Sequence, residues 1–375
     1  MSSRVCPRRP LRLVQYAMQG VRTRGWSSAS KRTLHTALFF PGHGVQRVGM
    51  ANAWMDHFPR TTASLLEEMD AIVGYSLSRL ISDGPNSKLN QTEHAQPAIM
   101  AISVLILRVL ETEFGFHTSS RVNVTLGHSL GEFAALVAAG HLQFADALRL
   151  VRGRAEVMAQ CTRQIAKQSG ESYGMVALIC EPEHLESLLQ AIQDFLGLGV
   201  SRLDDTSYTT PAIQQVVVAN INSPNQVVLS GSIQRIRSLL VQLRQFGGHD
   251  PRAVRLKSDS PFHSPMMNPA AEYNAMRFQR ICPTIPVQRR PPASVVKTVP
   301  DTVRWWDSIR NLHQEKGVKR WIGIGPGKVG RNLVGKEVGR INTKGGGVWA
   351  ASSPKEMEDM MIALEQTESE AQSAA

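Results

Sequence analysis

Gly127-His128-Ser129-Leu130-Gly131 fits the pattern G-x-S-x-G and sits where an apolar run, Val122 to Leu126, gives way to helical spacing. Glycines at those positions suit a strand-to-helix turn too tight for flanking side chains. Such a turn exposes the serine hydroxyl and aims the next amide, that of Leu130, at a developing oxyanion. The alternative is a small residue in a tight connection. A serine nucleophile also needs a base. Among eleven histidines, His263 in "SPFHSPMM" is the best placed, in a Pro-bounded loop just after a strand. A plain surface histidine is the alternative there, and His43 in "FPGHGVQRVGM" and His94 in "TEHAQPAIM" compete for the role. Arg154 is the third candidate. It lies among Leu150, Val151, Ala155 and Met158 on a helix, and a guanidinium beside an apolar face calls for an anion. A snorkelling surface arginine, like Arg149 or Arg152, is the competing reading.

These residues need elements to hold them. "TALFFPG" (36–42) reads as a strand ending at Pro-Gly, helical patterns follow at 57–72 and 96–114, and 122–126 is a strand before the serine's helix. Another helix spans 144–161. This alternation predicts a mainly parallel α/β sheet. Residues 173–256 follow the order β-α-β-β-α-β: "YGMVALI", "EPEHLESLLQAIQDFL", a pair of strands around Asn222-Ser223-Pro224-Asn225, "IQRIRSLLVQLRQFG" and "RAVRLK". That is the order of a ferredoxin-like module. Strand and helix alternate again afterwards, so the module is an insertion. The expected division is 37–170 and 257–366 for the α/β-hydrolase-like domain, 171–256 for the insertion and 367–375 for a disordered tail. Gly325-Pro326-Gly327-Lys328-Val329-Gly330 matches G-x-G-x-x-G. The strand after it carries no acidic residue for a ribose and too little chain remains for a βαβαβ unit, so we read it as a tight turn near the site, not a dinucleotide fingerprint.

The net charge of +11 is concentrated. Residues 1–36 hold seven arginines, Lys31 and no acidic residue, and the first acid of the chain is Asp56. Arginine-rich, serine-containing and acid-free, this stretch reads as a mitochondrial transit peptide, with a disordered nucleic-acid-binding arm as the lesser alternative. The expected compartment is the matrix. Cys161, Cys180 and Cys282 are isolated and have no metal-ligand spacing, which fits a reducing compartment. The most apolar window, 97–110, contains Arg108 and is too short to span a bilayer, so a buried helix is expected.

Taken together, "FPGHGVQRVGM", "QPAIMA", "GHSLGEFAALVAAG", "RLVRGRAEVM", "NINSPNQVVLSG", "SPFHSPMM" and "IGPGKV" occur in the order found in malonyl-CoA:acyl carrier protein transacylases, and the chain resembles that family from about 37 to 340. The resemblance implies an α/β-hydrolase-like domain with a ferredoxin-like insertion, Ser129 as the acylated nucleophile and His263 as general base. It implies an oxyanion hole from the amides of Leu130 and His43, and Arg154 as a bidentate partner of the malonyl carboxylate. Gln96 and His128 would line the site, with Asn222 in the loop beside it. The reaction would be ping-pong, from CoA to Ser129 and then to the phosphopantetheine thiol of acyl carrier protein. No metal, redox cofactor, nucleic acid or membrane is expected, and a monomer is. A serine hydrolase of thioesterase or lipase type, and a catalytically weakened protein that still binds the carrier, are the alternatives.

Three departures stand out. His43 replaces the family's usual glutamine, and Gly323 replaces an acid before "IGPG". Between Val287 and Val303 the chain is short: a strand and a helix whose backbone carbonyl orients the catalytic histidine have no counterpart in "QRRPPASVVKTVPDT". The expectation is a poorly oriented His263 and slowed acylation.

Overall fold

The computed structural model describes residues 35–196, 211, 214–281, 299–339 and 346–373. Strands β1 (His35–Phe40) and β2 (Val124–Gly127) are almost entirely buried. Strands β3 (Tyr173–Ile179), β4 (Val217–Ser223), β5 (Gln226–Ser232) and β6 (Arg252–Arg255) follow, then β7 (Val318–Ile324) and β8 (Gly347–Ala351). The first sheet has the order β2-β1-β7-β8 and is parallel throughout. Apolar runs such as "ALFF" suit strands covered on both faces. The helix Thr92–Glu113 packs on this sheet and is buried on nearly every face, so its apolar window belongs to the core as expected.

The second sheet has the order β4-β5-β3-β6, with every neighbouring pair antiparallel. With the helices Leu185–Phe195 and Ile233–Gln245 this is the ferredoxin-like arrangement anticipated from the element order. One face of the sheet meets those helices through Val176, Leu178, Val227 and Leu229. The other presents Met175, Ala177, Ala219 and Val228 to Met158, Phe262, Met266 and Met267. The small sheet therefore rests directly on the segment that carries His263.

Two boundaries differ from expectation. His35 and Thr36 belong to β1, not to a leader: Thr36 is buried, donates its amide to Asn123 Oδ1 at 2.8 Å and accepts from the Asn123 amide at 2.9 Å. The rest of the proposed transit peptide lies outside the described residues. The C-terminal helix runs Pro354–Ser373, well past the expected tail boundary at 367. Thr367 is fully buried with its hydroxyl on the Leu364 carbonyl, and Glu368 bridges Arg121 and Arg320 at 2.6 and 2.9 Å. The sequence pattern reads this end as polar because its anchors are a threonine and a carboxylate, not apolar residues.

Candidate active site

The serine elbow is fixed by close backbone approach. A Cβ on Gly127 would stand 2.0 Å from the Gly131 carbonyl carbon, and one on Gly131 would stand 2.4 Å from the Phe40 oxygen. Only glycine fits where strand and helix cross. Between them Ser129 is held at φ 53°, a left-handed conformation that costs a non-glycine residue about 1–3 kcal/mol and occurs mainly at functional sites. Its hydroxyl donates to His263 Nε2 at 2.7 Å. His263 is itself at φ 57° and 3% exposed. The pairing selects His263 over its competitors: His94 binds the Tyr75 hydroxyl at 3.0 Å, and the His43 ring packs edge-on against Phe262.

His263 Nδ1 donates to the main-chain carbonyl of Asp301 at 3.1 Å. A carbonyl only accepts, so Nδ1 carries the proton and Nε2 is free to take one from Ser129. This corrects the expectation drawn from the shortened segment. The orienting carbonyl is present, supplied by residues just before Val303. Val303 adds in parallel to the edge of β4, its amide donating to Ala219 at 2.8 Å and its carbonyl accepting from Ile221 at 2.9 Å. The Thr302 hydroxyl donates to the Val218 carbonyl at 2.6 Å. Three bonds to one strand edge thus hold the carbonyl that orients the base. A backbone acceptor has no residue-type signature, so the sequence could not reveal it.

Among the described residues, the Leu130 and His43 amides donate to no other group, which leaves them available as a pair to an oxyanion. Gln46 shapes their loop: its Oε1 accepts from the Gly44 amide at 2.9 Å and its Nε2 donates to Asn90 Oδ1 at 3.1 Å. The Gly-rich turn supports the same loop, for a Cβ on Gly325 would strike the Pro41 ring at 2.6 Å. Gly323, where an acid was expected, leaves room for Phe39, whose ring would lie 2.7 Å from a Cβ there.

Arg154 is 4% exposed. One of its terminal nitrogens donates to Gln96 Oε1 at 2.5 Å, its guanidinium lies 5.6 Å from the centre of the Phe133 ring, and its Nε has no partner. Burial pulls its pKa down to about 10, partly opposed by Glu132, so it stays cationic at neutral pH. A buried guanidinium with an unspent donor is costly unless an anion completes it. The surface-arginine reading is excluded.

His128 and Asn222, expected in and beside the site, are hydrogen-bonded to each other. Asn222 is on β4 rather than in a loop; its Oδ1 accepts from His128 Nε2 at 2.8 Å and its Nδ2 donates to Gln226 at 3.0 Å. The His128 ring lies edge-on to Trp305, and burial lowers its pKa. Trp305, Gln226 and Asp301 complete the site and were not anticipated.

A parallel α/β sheet carrying a strained serine elbow, whose hydroxyl meets a buried histidine, is an arrangement suited to acyl transfer. Residues 38–183 match the acyl transferase domain family. The chain is 33% identical to the malonyl CoA-acyl carrier protein transacylase of Bacillus subtilis over 82% of its own length and 92% of that protein's. The solved MCAT of Streptococcus pneumoniae is 30% identical and superposes with a TM-score of 0.68, covering 87% of this chain and 99% of that one. A type II PKS acyl-carrier protein in complex with its malonyl-transacylase gives 0.70 at 28% identity, over 88% and 99%. The chain belongs to the malonyl CoA-acyl carrier protein transacylase family and is an acyltransferase.

Proposed function

We propose that the protein moves a malonyl group from malonyl-CoA to the phosphopantetheine thiol of acyl carrier protein through a malonyl ester on Ser129. The observation that carries this reading is the buried Arg154, cationic and with Nε unspent, packed on the ring of Phe133 in the serine's own helix. A carboxylate is the anion whose geometry a guanidinium fork fits best.

Ser129 passes its proton to His263 Nε2 as Oγ attacks the thioester carbonyl. The oxyanion is taken up by the amides of Leu130 and His43. Collapse breaks the C–S bond, and the CoA thiolate recovers the proton from Nε2. The second half-reaction runs the same steps in reverse order with the carrier's thiol as nucleophile. Only a nucleophile, a base, the two amides and the clamp take part in these steps. With the Asp301 carbonyl in place, the weakened-homologue alternative loses the observation that motivated it.

Arg154→Ala tests the assignment. Malonyl transfer should fall by about 100-fold, a loss of a few kcal/mol for a buried charged hydrogen-bond donor, while acetyl transfer from acetyl-CoA rises relative to it. Equal losses with both substrates would make Arg154 structural. The acid-free, arginine-rich stretch before β1 supports import into the mitochondrial matrix and a role in fatty acid synthesis there. Removal of this stretch on import is the expected outcome, and protein from isolated mitochondria still beginning at Met1 would contradict it.

A further inference from the structure

Among the described residues, Arg154 Nε and both ring nitrogens of His43 are buried without a hydrogen-bond partner, as is the indole Nε1 of Trp305. Arg154 answers to the proposed substrate. His43 has no explanation yet, because its part in the oxyanion hole is played by its backbone amide. A buried imidazole with neither nitrogen satisfied is costly, by about 1–3 kcal/mol for each such polar group. The ring touches Phe262, with centroids 5.1 Å apart, on one side. It lies within electrostatic reach of Arg154 and of Asp259. Asp259 is already engaged, accepting from the Thr92 amide and hydroxyl and from the Ser260 hydroxyl. Burial lowers the ring's pKa to about 4 against the upward pull of Asp259 and of the Lys257 backbone, and Arg154 lowers it further. The Lys257 carbonyl near the ring does not reach hydrogen-bonding geometry, so the neutral imidazole keeps its one N–H for a better acceptor.

We propose that the His43 side chain is a second ligand for the free carboxylate of the acyl group, donating a hydrogen bond to one oxygen while Arg154 engages the carboxylate. This rests on the reading of Arg154 given above. It makes His43 a specificity-determining residue with two separate duties: the amide serves the reacting carbonyl and the ring serves the far end of the substrate. Two neighbouring donors, one charged and one neutral, fit a carboxylate. An uncharged acyl tail would leave both unpaired.

The alternative is that the ring is only a packing partner of Phe262, the residue before the catalytic base. Two substitutions separate the readings in opposite directions. His43→Phe keeps an aromatic edge against Phe262 and removes the N–H; His43→Gln keeps a donor and removes the ring. Acylation rates with malonyl-CoA and acetyl-CoA are measured for both and for Arg154→Ala, with thermal melting to confirm folding. If the ring binds the carboxylate, His43→Phe lowers the ratio of malonyl to acetyl acylation rates by about 10- to 100-fold, whatever it does to the overall rate through the oxyanion amide. His43→Gln then keeps most of that ratio. The proposal is overturned if His43→Phe is normal, or if it slows both substrates alike. Either result alongside a selective Arg154→Ala leaves the transacylase reading standing. A non-selective Arg154→Ala would sink that reading, and this proposal with it.

Discussion

Ser129 and His263, the proposed nucleophile and base, are held in different ways, although their side chains meet at 2.7 Å. Ser129 is positioned by its immediate neighbours: five consecutive residues, two of them glycines whose missing side chains let strand and helix cross. His263 is positioned from afar. Its orienting carbonyl is 38 residues downstream, held by Val303 and Thr302 to a strand of the other sheet. The same strand carries Asn222, which fixes His128 next to the serine. β4 thus steadies both sides of the site from the small domain. A local device tolerates change elsewhere in the chain; a distant one fails whenever its strut does.

The most severe way to break the comparison is at the base itself. His263→Ala should slow acylation by about 10²- to 10⁴-fold, the usual worth of a general base, with malonyl-CoA affinity little changed. Stopped-flow acylation alongside equilibrium binding checks both halves. A matching loss of affinity would mean that His263 also shapes the pocket.

Cutting the strut should do less. Val303→Pro removes the amide that donates to Ala219 and loosens the Asp301 carbonyl while leaving His263 in place. Acylation should slow by about tenfold at constant affinity, and the elbow residues should keep their hydrogen-exchange protection. An unchanged rate would show that other contacts orient the ring. The serine side offers the mirror experiment. Gly131→Ala forces a Cβ into the Phe40 carbonyl, and overpacking of this kind costs about 1–3 kcal/mol, so thermal stability should fall together with activity. Loss of activity at full stability would mean that the glycine serves the chemistry and not the crossing.

The smallest effect belongs to the C-terminal helix. Burial raises the pKa of Glu368, but Arg121 and Arg320 outweigh it and hold the carboxyl below its ordinary value. A depressed carboxyl contributes stability that is full above its unfolded-state pKa and is lost as pH falls through the folded one. The pair is part-exposed, so Glu368→Gln should cost about 0.5 kcal/mol near neutrality and nothing once the pH is acidic enough to protonate the wild-type carboxyl. Denaturant melts across that range would show the two proteins converging, and a constant gap would contradict the assignment.

What the sequence disclosed follows the same division. The elbow, the β-α-β-β-α-β order and the arginine on an apolar helix face are patterns of neighbouring residue types, and all three are in the structure. The Asp301 carbonyl was missed because any residue can supply one and because its position depends on pairing with β4, more than 80 residues away in the chain. The tail was misread because Thr367 and Glu368 dock through polar contacts that no apolar periodicity marks. Asn222 and His128 were placed in the right neighbourhood, but the hydrogen bond between them was not foreseen.

The account stands most directly on the identity of the acylated residue. Brief incubation with radiolabelled malonyl-CoA, acid quenching and peptide mapping should place the label on Ser129, stoichiometric with enzyme, and adding acyl carrier protein should discharge it. Label on any other residue, or none that accumulates in an enzyme still turning over, would contradict the mechanism.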